Sequence, residues 1–298
     1  MNVLIIGGVS IDTKIYTPEI SNVSSDMSLF ASHTSTHLGG TGAGKALAMA
    51  KFKKNTTLVC QAGEKDIAYL RDELDTQMIK THILLTNETE KHTNIMHGEN
   101  HRLSIFTAFP TDAQNINEFI TDQMLNESDL IFLNINSFCK PIIPRLYAHK
   151  EKVVIDLHDY KVGSSYHQEF LDVGSYLFTS CIYLKNQVEF LEESMRQYNL
   201  KASIITCNKE GAMGIDQSGV LRVSNALEGI KMIDSNGAGD AFVVGFMMKY
   251  IENNDLQDAL LFGNVFGAYA CESSALIDRQ IELKDVESRF QTLKEKRH

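Results

Sequence analysis

Apolar runs recur along the chain with helical stretches between them, and this alternation limits the fold more than any other feature of the sequence. The runs typical of buried strands are "NVLIIGG", "TTLVCQAG", "DLIFLNI", "KVVIDL", "SYLFTS" and "ASIITC". Helices are predicted between and after them, for example at residues 116–125, 187–198 and 238–250. Strands that alternate with helices form a parallel sheet covered on both faces, and right-handed crossovers then favour a doubly wound α/β fold.

Two segments interrupt this alternation. Residues 13–37 are polar with short alternating apolar positions, and "HTNIMHGENHRLSIFTAF", residues 92–109, alternates around a Gly98-Glu99-Asn100 turn, which predicts a hairpin. Together they predict a small β-strand lid over a site, although two separate surface hairpins remain an alternative. Because we find no repeat, low-complexity tract or Pro-rich linker, we expect one domain over residues 1–298 with lid insertions at about 13–37 and 92–109.

Composition and net charge limit the kinds of molecule that the protein can bind. The 298 residues are 43 % hydrophobic and 22 % charged, as in ordinary soluble domains. A net charge of -10 argues against broad electrostatic binding to nucleic acid or anionic lipid, so any phosphate must be held locally. The run "VLIIGGV" is too short to span a membrane and lacks the flanks of a signal peptide, so a cytoplasmic protein is expected. Five scattered cysteines without CxxC spacing predict reduced thiols.

The stretch "HLGGTGAGKALA", residues 37–48, is similar to the phosphate-binding loop of P-loop NTPases. Gly39, Gly44 and Lys45 fit that pattern, but Ala46 has no hydroxyl for Mg²⁺ and the preceding "SHTSTHL" is not a buried strand. A segment similar to the acidic strand of those proteins, "KVVID" ending at Asp156, keeps the P-loop interpretation open as an alternative.

A second glycine loop, "DSNGAGDAFVVGF" at residues 234–246, is more informative. Gly237, Ala238 and Gly239 are small enough for their N–H groups to converge on an anion, and the apolar helix that follows would direct its free amides and positive dipole end at the same place. Asp240 would repel a phosphate there unless it takes a proton from an attacking hydroxyl as a general base. An Asp that only stabilises the helix N-terminus is the alternative.

The segment "DSNGAGDAF" matches every fixed position of the C-terminal signature of ribokinase-like (PfkB-type) carbohydrate kinases, and the resemblance runs through most of the chain in order. It implies a ribokinase-like fold and transfer of the γ-phosphate of ATP to a hydroxyl of a small sugar or sugar-like substrate. It also implies that the amides of Gly237, Ala238, Gly239 and Asp240 form an anion hole, with Asp240 as the catalytic base. A nucleoside kinase of the same fold and a non-catalytic sugar or nucleotide sensor remain alternatives.

By the same resemblance, "GGTGAGKA" contacts the phosphate acceptor, usually a sugar, and Lys45 belongs to the helix that follows. An Asp two positions after a polar residue near the first strand is expected to orient the acceptor's hydroxyls. The substrate-binding residues implied are Ser10, Asp12, Gly39, Gly40, Thr41 and Gly44. Ser10 and Gly44 stand where the family often has Asn, so both departures remove a side-chain amide.

The segment "YLKNQVEFLEE" has the family's Asn-x-x-Glu spacing at Asn186 and Glu189, which one helical turn places on the same face. The resemblance implies that they organise Mg²⁺ and phosphate through water, while an N-cap followed by a surface Glu is the alternative. Asp234 resembles the ligand of an activating monovalent cation, which would be K⁺. The ATP-binding residues implied are Asn186, Thr206, Asn208, Gly211, Gly237, Gly239 and Asn264.

Two further expectations concern the lid. His92, His97 and His101 have no standard zinc-site spacing, and a polar hairpin rim explains them more simply. By family analogy, exposed lid strands imply a possible homodimer, with a small sugar or nucleoside as the only other partner and no nucleic acid or membrane.

Overall fold

The computed structural model describes residues 1–18, 20, 28–98 and 101–296. The strands are β1 Asn2–Ile6, β2 Ser10–Thr17, β3 His33–Gly39, β4 Asn55–Gly63, β5 Lys80–Thr86, β6 Glu90–His97, β7 His101–Ala108, β8 Leu130–Asn134, β9 Val153–Asp156, β10 Tyr176–Ser180, β11 Ala202–Thr206, β12 Ala212–Asp216 and β13 Arg222–Ser224. The α-helices are α1 Thr41–Lys51, α2 Ile67–Asp75, α3 Ile116–Phe119, α4 Asp122–Glu127, α5 Ile143–Leu146, α6 Gln168–Val173, α7 Gln187–Tyr198, α8 Ala238–Asn253, α9 Leu256–Cys271 and α10 Leu283–Glu295.

The main sheet confirms the predicted doubly wound α/β fold. Its strand order is β13-β12-β11-β10-β9-β8-β1-β4-β5, and the strands from β5 to β11 are parallel, while β12 and β13 add an antiparallel edge. After β1 the chain winds to one side through β4 and β5 and then returns to the other side at β8. The direction of winding therefore reverses between β1 and β8, and in such sheets ligands bind outside the carboxyl ends of the strands at this point.

Alternate residues of the central strands pack against two different helical layers. In β1, Val3 and Ile5 belong to a core shared with α1, α8, α9 and α10, and Leu4 and Ile6 belong to a core shared with α3 to α7. This explains why the strands are continuous apolar runs, because both faces of a parallel sheet are covered.

The second sheet, with order β3-β2-β6-β7, comes from the two segments that interrupt the alternation. Strands β6 and β7 pair antiparallel, as the hairpin prediction requires, and β2 joins β6 in parallel. Of the predicted segments, residues 19, 21–27 and the turn residues Glu99 and Asn100 lie outside the described residues. The four strands place a small sheet beside the switch point of the main sheet.

Two local predictions are wrong. The helix predicted at residues 116–125 is broken, because Ile120 is extended and the hydroxyl of Thr121 accepts a hydrogen bond from the N–H of Met124 and so starts a new helix. The thiols are also not all free, because Cys181 and Cys207 are joined as a disulfide, while Cys60, Cys139 and Cys271 are free and buried.

Candidate active site

The loop after β1 meets the start of α1 at the switch point. The carbonyl oxygen of Gly8 accepts hydrogen bonds from the N–H groups of Gly42, at 2.9 Å, and Ala43, at 3.3 Å. At the end of β8, the side-chain amide of Asn134 donates to the hydroxyl of Thr41, the first residue of α1. The glycine loop is therefore fixed by the two strands that flank the switch point.

This geometry contradicts the P-loop alternative. A P-loop holds phosphate with free backbone N–H groups at the start of its helix, but here the N–H groups of Gly42 and Ala43 are already bonded to Gly8. The strand before the loop, β3, is part of the small sheet, and only its last two residues are buried. Lys45 lies inside α1 with its side chain buried, so it does not project into a phosphate loop.

Asp12 lies in β2 with its carboxylate surrounded by polar partners. The hydroxyl of Ser10 donates to Oδ1 at 2.7 Å, Nδ1 of His92 lies 3.0 Å from the same oxygen, and Nδ2 of Asn236 lies 3.4 Å from Oδ2. Burial alone raises the pKa of Asp12, but the hydrogen bonds from His92 and Ser10 outweigh burial and leave that pKa below its usual value. The carboxylate is therefore held ionised, ready to accept hydroxyl hydrogen bonds.

His92 was assigned by the sequence to a hairpin rim, and the structure places it in the site. The register of β2 and β6 sets it opposite Asp12, and its Nε2 lies 2.8 Å from Oε1 of Glu90. Burial lowers the pKa of His92, but its hydrogen bonds to Asp12 and Glu90 outweigh burial and raise the pKa to about 9. The imidazolium thus lies between two carboxylates at neutral pH.

The predicted anion hole lies at the start of α8. Gly237 caps this helix with φ 82°, a left-handed conformation, and an added Cβ would overlap the carbonyl oxygen of Leu276. The N–H of Ala238 donates to the carbonyl oxygen of Ser235 at 3.3 Å, so this amide already has an acceptor. The first helical turn leaves the N–H groups of Gly239 and Asp240 without an intrahelical acceptor.

Asp240 is buried in this first turn and forms an ion pair that the sequence analysis did not predict. Nζ of Lys45 lies 2.5 Å from Oδ1 of Asp240 and 2.9 Å from Oδ2 of Asp156 at the end of β9. Burial raises the pKa of Asp240 above its usual value, and Lys45 and His158 oppose this rise. Burial also acts to raise the pKa of Asp156, but His158 and Lys45 reverse that effect and leave it lowered.

Gly44 explains how the two halves of the site meet. An added Cβ at Gly44 would overlap Oδ2 of Asp240, so the carboxylate occupies the space where a side chain would stand. Together with the contact between Asn236 and Asp12, this contact joins β2 and α1 to the start of α8.

A second group of residues implied for ATP and Mg²⁺ lies at the start of α7 and around the turn between β11 and β12. Asn186 caps α7 by accepting a hydrogen bond from the N–H of Glu189 at 3.3 Å, and the side chain of Glu189 is exposed. Thr206 ends β11, and Gly211, with φ 97°, begins the return to β12 after a turn that contains Asn208. Within the described residues, no hydrogen bond or ion pair joins this group to Asp12 or Asp240.

Asn264 has a structural role in the folded chain. Its Nδ2 donates to the carbonyl oxygens of Ser224, at 2.8 Å, and Asn225, at 3.1 Å. The amide therefore fixes the segment after β13 to α9. Asn225 in turn lines a surface cavity of about 710 Å³ together with Leu227, Gln257, Leu261 and Arg289 among others.

Lys45, Asp156 and His92 are the site residues that sequence reasoning missed. Lys45 is the one charged residue in "TGAGKALAMA", a stretch otherwise small and apolar, and a lysine buried there needs a carboxylate partner. Asp156 ends a buried strand, which is where such a partner can stand. These signals are present in the sequence, but they do not say which carboxylate meets which lysine.

Comparison with known proteins agrees with this geometry. Residues 184–282, which contain the Asn186–Glu189 turn and the whole of the loop before α8, match the family model "pfkB family carbohydrate kinase". This match supports the resemblance to PfkB-type carbohydrate kinases that "DSNGAGDAF" predicts, over the part of the chain that carries the signature.

Three similar proteins span nearly the whole of the chain. It is 22 % identical over 290 residues to the acarbose 7(IV)-phosphotransferase of Actinoplanes sp., covering 91 % of this chain and 92 % of that protein. The solved structure of the microbiome-derived acarbose kinase Mak1 has a TM-score of 0.81 at 23 % identity, covering 97 % and 99 %. The nucleoside kinase of Methanocaldococcus jannaschii, described as a member of the ribokinase family, has a TM-score of 0.75 at 16 % identity, covering 98 % of each chain.

Neither a metal cluster nor a membrane span is found in the described part of the chain. No group of three or more His, Cys, Asp or Glu side chains there could hold a metal ion. None of the helices described is long and apolar enough to cross a membrane.

Proposed function

We propose that the protein transfers the γ-phosphate of ATP to a hydroxyl group of a small sugar or sugar-like acceptor, with Asp240 as the general base. The observation that carries this proposal is that the segments that carry Asp12 and Asp240 contact each other at two places. Asp12 stands on the acceptor side with Asn236 against it, and Asp240 stands at the helix N-terminus with Gly44 of the acceptor loop against it.

Asp12 and Ser10 would orient the acceptor. An ionised carboxylate can accept hydrogen bonds from two hydroxyls at once, which suits a polyol, and the pKa of Asp12 is kept low by its neighbours. Both residues lie in β2 of the small sheet, so closure of that sheet over the cleft would position the acceptor and exclude water. Positioning supplies much of what phosphoryl transfer needs.

Asp240 would take the acceptor's proton. Its Oδ1 is held by Lys45, while Oδ2 faces Gly44 in the acceptor loop, so Oδ2 is the atom placed to receive the proton. Burial raises the pKa of the Asp240 carboxyl, which strengthens it as a base, and Lys45 opposes that rise. Lys45 is thus a positioning residue that acts through Asp240.

The start of α8 would hold the transferred phosphoryl group. The N–H groups of Gly239 and Asp240 have no intrahelical acceptor, and the positive end of the helix dipole lies at the same point. Fixed donors of this kind stabilise charge that develops during transfer without reorienting. The amide of Ala238 contributes less than the resemblance implies, because it donates to Ser235.

The donor chemistry at the start of α7 fits Mg²⁺. Glu189 offers an exposed carboxylate in the first helical turn, an oxygen ligand of the type that Mg²⁺ prefers, with waters completing its coordination. When bound, Mg²⁺ would neutralise charge on the phosphates of ATP. Asn186 would fix the position of Glu189 through its cap hydrogen bond.

The donor nucleotide would extend from the start of α8 towards β12 and β13. Thr206, Asn208 and Gly211 form the turn between β11 and β12, and the cavity of about 710 Å³ opens beyond β13 next to the segment that Asn264 fixes. ATP lying along this path would bring its γ-phosphate to α8 and leave its base beside α9.

A panel assay tests the proposed activity. The protein is incubated with Mg·ATP and, in separate reactions, monosaccharides, acarbose and nucleosides, and ADP release is measured against a reaction without acceptor. Release with sugars or acarbose supports the proposal. Turnover confined to nucleosides would support the nucleoside kinase alternative, which the similarity to the nucleoside kinase of Methanocaldococcus jannaschii keeps open. Saturable binding with no ADP release above background would support a non-catalytic sensor.

We also propose a homodimer formed through the small sheet. Strand β7 is an edge strand whose residues are mostly exposed, including the apolar Leu103, Ile105 and Phe106. An exposed apolar edge strand readily pairs with another chain. Analytical ultracentrifugation of the wild type and of Leu103→Glu tests this: a dimer that the substitution converts to a monomer supports it, and a wild-type monomer at all concentrations rules it out.

A further inference from the structure

Lys14 is a fully buried lysine of the small sheet, and its ammonium contacts the turn that precedes α8. It follows Ser10 and Asp12 on the inward face of β2, where alternate residues are buried. Its Nζ lies 2.5 Å from Oδ2 of Asp234 and also donates to the carbonyl oxygen of Ser274. A lysine buried to this degree is stable only because the carboxylate and the carbonyl compensate for its lost hydration.

The second carboxylate oxygen of Asp234 also has polar partners. Oδ1 accepts the N–H of Asn236 at 2.9 Å, and Nη1 of Arg102 lies 3.5 Å from it. The backbone N–H of Asp234 donates to the carbonyl oxygen of Cys271 at the end of α9. The carboxylate therefore holds the turn that leads into Gly237 and α8, and Lys14 neutralises it from the small sheet.

By the family resemblance, Asp234 was expected to bind an activating monovalent cation. The side chains around Asp234 do not fit such a cation. Carboxylate and carbonyl oxygens can coordinate K⁺, but here the carboxylate of Asp234 and the carbonyl of Ser274 already accept hydrogen bonds from the ammonium of Lys14. A second cation against these atoms would face Lys14 directly and Arg102 at slightly longer range, and like charges at short range repel. The positive charge that neutralises Asp234 in this turn is therefore supplied by the side chain of Lys14.

We propose that Lys14 is a tethered cation that takes the place of a dissociable monovalent cation at Asp234, so that the protein works without K⁺. Lys14 belongs to β2, which also carries Asp12, so the same ammonium joins the acceptor-binding strand to the turn of the predicted anion hole. Lys14 is a positioning residue in this scheme, because it acts through Asp234 and the backbone of the turn.

The first test uses the wild type. Initial rates and the thermal unfolding midpoint are measured in potassium, sodium and tetramethylammonium chloride at one fixed ionic strength. We expect less than about a twofold change in kcat and in kcat/KM, and the same midpoint in all three salts, because a cation that binds the native state would raise that midpoint. Activation by K⁺ of more than about fivefold, the range of a genuine effector, overturns the proposal.

The second test removes the ammonium. Lys14→Met keeps the length of the side chain, and we expect it to lose kcat at least about tenfold in tetramethylammonium and to recover with K⁺ or NH₄⁺, which can then bind to Asp234 and Ser274. Arg102→Met is the matched control, since it removes the more distant cation from the same carboxylate and should not create salt dependence. A folded Lys14→Met protein with wild-type rates in every salt would refute a role for Lys14.

The kinetic readings rest on the proposed kinase function, but the unfolding midpoints do not. If no acceptor gives turnover, the midpoints of the wild type and of Lys14→Met in the three salts still decide whether a cation binds at Asp234. If Lys14→Met does not fold, the wild-type salt series decides the proposal alone.

Discussion

Nζ of Lys45 lies within hydrogen-bond distance of both Asp240 and Asp156, so one buried ammonium joins the first turn of α8 to the end of β9. Asp240 is thereby fixed beside Gly44 in the first turn of α1. Of the two carboxyls, only that of Asp240 keeps a raised pKa, because His158 and Lys45 outweigh the effect of burial at Asp156. This difference is what the proposed general base requires, since a raised pKa makes Asp240 the stronger base of the two.

Asp240→Asn should lower kcat by ~10²- to 10⁴-fold, because the amide cannot take a proton from the acceptor. Binding of ATP, measured by calorimetry, should survive, since the backbone of α8 is unchanged. Asp258→Asn is the matched control, a buried carboxylate in α9 that bonds to Asn253 rather than to the cleft. A wild-type rate in Asp240→Asn would remove Asp240 as the base.

Lys45→Met should move the acid limb of the pH–rate profile to higher pH. Lys45 lowers the pKa of Asp240 against the effect of burial, so without Lys45 this pKa rises further, and the carboxyl is protonated over a wider range of pH. Unfolding in urea should show a loss of about 3–5 kcal/mol, as expected when one partner of a buried ion pair is removed.

Lys45→Arg provides the comparison for this change, since it keeps the positive charge and should leave the acid limb near its wild-type position. An unshifted profile in folded Lys45→Met would show that Lys45 does not tune Asp240. Complete loss of ATP binding with an intact fold would instead return Lys45 to the phosphate-binding role of the P-loop interpretation.

The stability of the protein should decrease as pH rises from about 6.5 to about 9. The pKa of His92 is raised to about 9 in the folded state by Asp12 and Glu90, against about 6.5 in the unfolded chain. The folded state therefore binds the proton more tightly, and the stabilisation, about 1–3 kcal/mol after allowance for solvent screening, is complete below pH 6.5 and lost above pH 9.

Urea unfolding at a series of pH values measures this contribution. In His92→Gln the decrease across that range of pH should be smaller by the same amount. His33→Gln is the matched control, an exposed histidine of the small sheet that packs on Tyr16, and it should keep the wild-type pH dependence. Identical pH curves for the wild type and His92→Gln would contradict the proposed ion pairs.

Gly237→Ala should abolish most activity and destabilise the protein more than Gly229→Ala. Both glycines have positive φ, 82° and 71°, so both substitutions carry the same backbone strain of about 1 kcal/mol or more. Only at Gly237 does the new Cβ overlap a carbonyl oxygen, that of Leu276, whereas at Gly229 it meets no described atom within 4 Å. Equal effects on kcat and on the unfolding midpoint would show that the packing of the turn is unimportant.

The layered α/β fold and the position of the loop before α8 could both be predicted from local sequence patterns. Runs such as "NVLIIGG" are apolar at every position because both faces of a parallel sheet are buried, and that is a local property of the sequence. Helix α7 was predicted with its observed bounds, since its N-cap at Asn186 is also local. The nine residues 234–242 were enough to recognise the family.

The pairing of the buried charged groups could not be predicted in this way, because it depends on contacts between distant parts of the chain. Lys45 and Asp240 are 195 residues apart and Lys14 and Asp234 are 220 apart, so no spacing in the sequence pairs them. Each lysine pairs with its carboxylate because the fold buries both groups next to each other. Burial of either charge without a partner would carry a large free-energy penalty. The partners of the base and of the turn before α8 are therefore set by long-range packing, while the elements that carry them are set by local sequence.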